Sequence, residues 1–221
     1  MPYLHSESVI RIAIADDHFS YLDILSAHIN TIDNCKVIIR AGNGKELLEK
    51  IRRQPEVDLV ITDIRMPEMN GYEAAKRIRQ DFPHIRILFS SMYSNELVFR
   101  LLFETGADGF VHKNASLSEY RKAIYEVLKS GNYFAGIPVS FHRKCLNGNG
   151  KELNGRLLIS DEEIELLKLA CTDLTYTAIA CKLKTNERHV DYIRQGLFEK
   201  FGIKTRVGLA LLAYEAGLIN C

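Results

Sequence analysis

The 221-residue sequence lacks the features that mark membrane proteins and disulfide-stabilised proteins. It has no run near the roughly 18 apolar residues that a membrane span needs. Its first residues have neither a positive start nor an apolar signal core, so we expect a cytoplasmic protein without a membrane partner. The five cysteines are odd in number and scattered, without the spacing of a zinc site or a disulfide framework. We expect them to be reduced and structural.

Short apolar runs alternate with segments of helix length in the first 130 residues. Such runs occupy positions 9–15, 57–62, 85–89 and 108–111. Strands that alternate with helices predict a parallel sheet, and ligands of such sheets gather beyond the carboxyl ends of the strands, where the chain order reverses. Side chains that follow these runs should therefore converge at one edge of the sheet.

The residues at these strand ends have the chemistry of a phosphate site. Asp16 and Asp17 end the first run and Asp63 ends the second, while Ser91 and Lys113 follow the later two. Three close carboxylates must retain a proton or bind a hard cation, and we favour Mg²⁺. If Asp63 attacked a phosphoryl group, the acyl phosphate would need this cation, a hydroxyl donor and a positive charge. Each residue alone is typical of an ordinary strand end, but their combination indicates a site.

Residues from about 10 to 130 resemble the receiver domain of two-component response regulators. The resemblance implies a flavodoxin-like, five-stranded parallel sheet of order 2-1-3-4-5, phosphorylated by a sensor histidine kinase. Pro67 and Gly71 match the loop after the acceptor. The implied roles are phosphoacceptor for Asp63, switch hydroxyl for Ser91, switch aromatic for Phe110 and phosphate binding for Lys113. The implied Mg²⁺ ligands are Asp16, Asp17, Asp63 and the backbone carbonyl of Arg65.

A phosphatase of the haloacid dehalogenase type would also form an aspartyl phosphate on a parallel sheet. That chemistry needs a second acid two residues after the nucleophile, to protonate the leaving group. Arg65 stands two residues after Asp63, and His18 stands two residues after Asp16. We therefore expect that the protein is not an enzyme.

Two further segments are less well defined by the sequence. The helical segment 95–105 has more apolar residues than one buried stripe absorbs, so a wide core face and a dimer or interdomain contact both stay open. These residues are Leu97, Val98, Phe99, Leu101, Leu102 and Phe103. Glycine and asparagine then interrupt the periodicity from 131 to 157, which indicates a linker between a receiver at 1–130 and a second domain at 158–221. A short helix or strand at 138–145 remains possible within it.

Helix start signals predict a small all-α domain after the linker. Residues 160–163 form a capping box that opens the first of four helices, and Thr205 can cap the last. A helix at 175–183, a turn and a longer helix at 187–201 form a helix-turn-helix. Residues 159 to about 218 are similar to the DNA-binding domain of the NarL/FixJ/LuxR group.

This second resemblance implies a transcription factor that binds double-stranded DNA and forms a homodimer when phosphorylated. The 187–201 helix would enter the major groove. The residues expected to face base edges are Asp191, Tyr192 and Gln195. The residues expected to reach phosphates are Lys184, Arg188, Arg194, Lys200, Lys204 and Arg206.

Positive charge is scarce in this domain for a DNA-binding protein. Residues 159–210 contain eight Lys or Arg and eight Asp or Glu, which makes them formally neutral. Asp191 stands where the group usually has lysine, and Ile193 where it usually has histidine. Because phosphate neutralisation supplies most nonspecific affinity, we expect DNA binding to be weak, narrow in sequence choice or dimer-dependent. The alternative is a degenerate helix-turn-helix that acts as a protein-interaction module without DNA binding.

Overall fold

The computed structural model describes residues 9–136 and 159–219, which belong to two compact units, one α/β and one all-α. The possible element at 138–145 lies outside the described residues, as do Cys145 and Cys221. Among the described residues, Cys35, Cys171 and Cys181 are not joined by disulfide bonds. Within the described ranges, the search for a helix long and apolar enough to cross a membrane finds none.

The α/β unit is built on one six-stranded parallel sheet in the order β2-β1-β3-β4-β5-β6. The predicted order of the first five strands is confirmed. Strand β6 was not predicted, because it has only two residues and lies in the segment interpreted as linker. Its pairing with β5 extends the sheet beyond residue 130. The strands are β1 Ile10–Ala15, β2 Cys35–Ala41, β3 Leu59–Thr62, β4 Arg86–Ser91, β5 Gly109–His112 and β6 Tyr133–Phe134.

Helices follow the strands along the chain, and polar side chains define their first turns. Asn43, Asn70 and Ser116 each accept a hydrogen bond from the backbone N–H three residues later, which satisfies a donor that the helix leaves open. Five of the six apolar residues named above on the fourth helix are buried. The helices are α1 Phe19–Ile29, α2 Gly44–Arg53, α3 Gly71–Asp81, α4 Glu96–Glu104 and α5 Leu117–Ser130.

The core on one side of the sheet positions α1 and α5 next to each other. Leu22 and Ile29 of α1 pack with Ile124 and Val127 of α5 and with the alternating strand residues of β1. These side chains are almost completely buried, and burial of each one contributes roughly 1.5–3 kcal/mol relative to an exposed position. The amino end of α1 and the loop before α5 are thereby held at the carboxyl edge of the sheet.

The all-α unit has the four predicted helices. Ser160 and Glu163 form the full capping box, and the side chain of Thr205 caps the last helix. Gly202 ends the third helix in the left-handed conformation, at φ +65°. The third helix buries Val190 and Leu197 along one face. The helices are α6 Asp161–Ala170, α7 Tyr176–Lys182, α8 Glu187–Phe201 and α9 Arg206–Glu215.

Candidate functional site

The predicted acids converge at the carboxyl edge of the sheet. Strands β1 and β3 are neighbours in parallel register, with Ala15 opposite Thr62, so the residues that follow them, Asp16 and Asp63, project from adjacent strand ends. Both are buried, with 2% and 6% of their surface exposed. Asp17 is exposed at the rim. The edge therefore has a buried acidic floor and an accessible acidic margin.

Lys113 joins the two buried acids. Its Nζ atom lies 2.6 Å from Asp16 Oδ2 and 2.9 Å from Asp63 Oδ2. The other carboxylate oxygen of Asp63, Oδ1, accepts the backbone N–H of Ile64 at 2.8 Å. The backbone N–H of Lys113 donates to the Ser91 carbonyl at 2.9 Å, which ties the loop after β5 to the end of β4. The carboxylate of Asp63 is thus held at both oxygens.

The charges in this pocket depend on one another. Burial raises the pKa of the Asp63 carboxyl to about 6; the Lys113 charge opposes this rise and the Asp16 charge adds to it. Burial lowers the pKa of the Lys113 ammonium, but the two carboxylates raise it by more, so its pKa lies above the usual value. Above about pH 6, the pocket therefore contains an ionised Asp63 beside a charged lysine.

The rim of the pocket has the donor chemistry of a hard cation site. Oxygen atoms of Asp16 and Asp17 and a ring nitrogen of His18 lie within 4.8 Å of one another. The backbone N–H of His18 also donates to Asp16 Oδ1 at 3.0 Å, which orients that carboxylate. Carboxylate oxygens are preferred ligands of Mg²⁺, so Asp16 and Asp17 fit that ion. Arg65 lies in the same loop, two residues beyond Asp63. The position of His18 beside both acids was not anticipated from the sequence.

The expected switch residues lie on the neighbouring strands. Ser91 ends β4 with 3% of its surface exposed, and its Oγ accepts the Tyr93 N–H at 3.3 Å. Phe110 on β5 is buried and lies opposite Phe89 in the register of the two strands. A hydroxyl and a buried aromatic ring therefore occupy the strands beyond β3.

Gly71 keeps the loop after Asp63 close to the strand end. A Cβ atom at this position would lie 2.0 Å from the Asp63 carbonyl oxygen and 3.1 Å from the ring of Phe89. The Gly71 N–H also donates to the Ile64 carbonyl at 2.9 Å. The first turn of α3 can approach the acceptor residue this closely only without a side chain.

We expect Gly71→Ala to destabilise the α/β unit by about 3 kcal/mol, at the upper end of overpacking effects, because the colliding atom belongs to the backbone. Gly196→Ala is the matched control. Gly196 lies within α8, and an added Cβ meets nothing within 4 Å, so this change should stabilise the chain by roughly 1 kcal/mol. Urea denaturation followed by circular dichroism measures both. Similar midpoints for the two variants would contradict the tight approach.

The second candidate surface is the exposed face of α8. Arg188, Asp191, Tyr192 and Gln195 are exposed there, and 77% of the Tyr192 surface is accessible. Lys184, in the turn before the helix, is exposed as well. Lys204, beyond the end of the helix, is also exposed. Asp191 forms an ion pair with Arg194 at 3.0 Å, so part of the negative charge on this face is neutralised locally.

Three of the cations expected to reach phosphates make contacts inside the all-α unit. Arg194 lies 4.7 Å from the ring centre of Tyr176, and Lys200 Nζ lies 2.5 Å from Glu163 Oε1. Arg206 donates to the Ala170 carbonyl at 3.0 Å and to the Thr172 carbonyl at 2.6 Å, where α6 ends. These contacts give Arg194, Lys200 and Arg206 a structural role that the sequence did not reveal.

A parallel sheet with an acidic, lysine-containing edge, together with a helix-turn-helix unit, defines a two-domain regulatory protein. Residues 12–125 match the family described as the response regulator receiver domain. The chain belongs to this family and is a two-component response regulator of the NarL/FixJ/LuxR group.

Relatives extend this likeness over both units. The transcriptional regulatory protein MctR of Rhizobium johnstonii is 30% identical over 211 residues, 96% of this chain and 96% of that protein. The response regulator GacA of Pseudomonas viridiflava is 28% identical over 214 residues, 96% of this chain and 99% of that protein. RcsB of Salmonella enterica serovar Typhimurium, solved bound to the promoter rprA with a phosphomimetic, shares the fold at a TM-score of 0.60. It is 21% identical, and the match covers 91% of this chain and 96% of RcsB.

Proposed function

We propose that the protein is a transcription factor controlled by phosphorylation of Asp63. A sensor histidine kinase supplies the phosphoryl group, and the phosphorylated form binds double-stranded DNA through α8 as a homodimer. The observation that carries the proposal is the pairing of Asp63 Oδ2 with Lys113 Nζ at 2.9 Å in a buried pocket that opens beside the exposed Asp17.

The residues of the pocket suit phosphoryl transfer to a carboxylate. A carboxylate oxygen of Asp63 attacks phosphorus, the bond from phosphorus to the imidazole nitrogen of the donor breaks, and an acyl phosphate forms. The imidazole leaves with the bonding electrons. The pKa of the Asp63 carboxyl is about 6, so Asp63 is ionised at neutral pH and able to attack. Lys113 neutralises charge that develops on the phosphoryl oxygens, since its ammonium is already fixed at the acceptor oxygen.

The acidic rim would hold Mg²⁺. The ligands would be the carboxylates of Asp16, Asp17 and Asp63 and the backbone carbonyl of Arg65, an all-oxygen set. When bound, the ion supplies positive charge that lets an anionic phosphoryl group approach three carboxylates. The His18 N–H holds Asp16 Oδ1 in place at 3.0 Å, so this chain positions one ligand through its own backbone.

Phosphorylation would act through Ser91 and Phe110. A phosphoryl group adds about −1.5 to −2 charge units and three strong hydrogen-bond acceptors. Among the described residues, Ser91 Oγ accepts a long 3.3 Å bond from the Tyr93 N–H, so little is lost when its hydroxyl turns to donate to a phosphoryl oxygen. Movement of Ser91 leaves space that Phe110 can enter, and a coupling of about 1–3 kcal/mol is enough to change the surface beyond β4 and β5.

The proposal is tested by incubating the protein with Mg²⁺ and acetyl phosphate. Intact mass spectrometry should show one added phosphoryl group, and size-exclusion chromatography should show a shift toward the dimer. Peptide mapping should place the group on Asp63. A chain that stays unmodified under these conditions and with histidine kinases would rule out the receiver function.

DNA binding rests on the exposed cation Arg188 on α8. The described part of α8 presents Arg188, Tyr192 and Gln195 together, and this mixture of a cation, an aromatic ring and an amide suits phosphate and base-edge contacts. Because Arg194, Lys200 and Arg206 already have internal contacts, the exposed Lys184, Arg188 and Lys204 contribute a larger share of the available positive charge. The affinity of a single copy should accordingly be low.

Arg188→Ala should weaken DNA binding and lower the salt dependence of the binding constant by about one phosphate contact. Lys168→Ala is the matched control, because it removes the same charge from α6, where Lys168 pairs with Glu165. We expect the control to keep the wild-type salt dependence. A salt series with random duplex DNA and phosphorylated protein measures both. If the phosphorylated wild type shows no binding at about 50 mM salt, the transcription-factor proposal fails.

A further inference from the structure

Three hydroxyl groups from distant parts of the chain meet behind the phosphoacceptor pocket. They belong to Tyr21 on α1, Ser90 on β4 and Tyr120 on α5. The Tyr120 hydroxyl lies 2.7 Å from the Tyr21 hydroxyl and 2.6 Å from Ser90 Oγ. Tyr21 and Ser90 are 3.4 Å apart, which closes the cluster. Ser90 and Tyr120 are buried, and buried hydroxyls are costly unless they are paired, so the cluster is a specific feature of this core.

The cluster ends on a backbone carbonyl oxygen, whose role as an acceptor is fixed. The Tyr21 hydroxyl lies 3.4 Å from the backbone oxygen of Lys113, which can only accept. One order of donors that fits these distances has Tyr21 donating to Lys113, Tyr120 to Tyr21, and Ser90 to Tyr120. Burial raises the pKa of Tyr120 well above its usual value, so this central hydroxyl keeps its proton at any physiological pH. This order uses each of the three protons once.

Tyr21 makes a second contact with the same lysine. The Nζ atom of Lys113 lies 5.1 Å from the centre of the Tyr21 ring, within the range of a cation–π interaction. Tyr21 thus contacts Lys113 at its backbone through the hydroxyl and at its ammonium through the ring. A lysine stem is flexible, so contacts at both ends restrict where the charge can lie.

We propose that Tyr21 is a positioning residue for Lys113, supported by Tyr120 and Ser90. The inference rests on the proposed phosphorylation of Asp63. It states that the hydroxyl cluster of this chain increases the rate of that phosphorylation. Ser90 precedes Ser91 in β4, so the cluster joins the strand that ends in the switch hydroxyl to the loop that holds the phosphate-binding cation. Small displacements of a charged group at a reacting centre have large kinetic effects.

The test compares the initial rates of Asp63 phosphorylation by acetyl phosphate with saturating Mg²⁺. Tyr21→Phe removes the hydroxyl and keeps the ring, and we expect a rate about three- to tenfold below wild type, the value of one hydrogen bond. Tyr21→Leu removes both contacts and should be slower still. Tyr120→Phe should resemble Tyr21→Phe, because it breaks the same chain of hydroxyls.

The decisive measurement is the effect of Tyr21→Phe on the phosphorylation rate of a chain that already carries Lys113→Ala. If Tyr21 acts through Lys113, Tyr21→Phe should have no further effect on the rate once the lysine is absent. A residue that only stabilises the fold would lower the rate by the same factor in both backgrounds. Equal factors would therefore overturn the positioning role.

Tyr125→Phe is the matched control. Tyr125 lies on α5, like Tyr120, and its hydroxyl donates to the Asp33 carbonyl at 2.7 Å instead of to Lys113. Its rate should stay within about twofold of wild type. A Tyr21→Phe rate equal to that of Tyr125→Phe, with wild type phosphorylated, would overturn this inference and leave the proposed function standing. A wild type that takes up no phosphoryl group would overturn both.

Discussion

Replacement of Asp63 by asparagine should abolish uptake of the phosphoryl group and leave the chain folded. The amide has nearly the same shape as the carboxylate but is not a nucleophile for phosphorus. Its oxygen can still accept the Ile64 N–H, and Lys113 keeps its partner Asp16 at 2.6 Å. Burial already disfavours the charge on Asp63, as its raised pKa shows, so loss of that charge should not lower the free energy of unfolding at neutral pH.

Asp58→Asn is the matched control for this experiment. Asp58 precedes the amino end of β3, away from the carboxyl edge of the sheet. Its side chain accepts the Arg11 backbone N–H at 2.7 Å. It should take up phosphate from acetyl phosphate like wild type, as measured by intact mass. Phosphate on the Asp63→Asn chain would show that a different residue is the acceptor.

Lys113→Ala should slow phosphorylation by about 10²-fold, the usual cost of one lost electrostatic contact to the reacting group. The Lys113 charge opposes the rise in the pKa of Asp63, so its removal raises that pKa further. The pH at which the acceptor becomes ionised should therefore move upward, and the rate profile with it. Without metal, two buried carboxylates lose their shared counter-charge, which should destabilise the α/β unit by about 3 to 5 kcal/mol.

Lys122→Ala controls for the change in net charge. Lys122 is exposed on α5 and lies 6.0 Å from the ring centre of Tyr133. Its phosphorylation rate and stability should stay close to wild type. Phosphorylation rates measured across pH 5 to 9 compare the rate profiles of the two variants. Urea denaturation in the absence of metal compares their stability. A wild-type rate for Lys113→Ala would exclude the lysine from the transfer step.

The convergence of the acids could be predicted because it depends on topology. Once 9–15 and 57–62 are interpreted as parallel strands, their carboxyl ends must meet at one edge if the strands are neighbours, and Asp16 and Asp63 follow those ends. The capping box at Ser160 and the left-handed Gly202 could be predicted for a related reason. Both depend on residues within one helical turn of each other.

The hydroxyl cluster and the paired cations could not be predicted in this way. Tyr21 and Tyr120 are 99 positions apart in sequence, and Ser90 lies 69 positions from Tyr21. Arg206 contacts carbonyls at least 34 positions away. No local period connects such residues, because their meeting depends on how complete helices pack.

The amino-acid sequence alone determined the alternation of strands and helices, the acids and lysine at the strand ends and the helix-turn-helix, since these features follow from periodicity, capping and the direction of parallel strands. The tertiary structure alone decided the sixth strand, the placement of Tyr21 against Lys113 and the internal pairing of Arg194, Lys200 and Arg206. The physical reason is that a side chain's partner is chosen by packing between elements, where contacts at long sequence separation compete for the same polar groups.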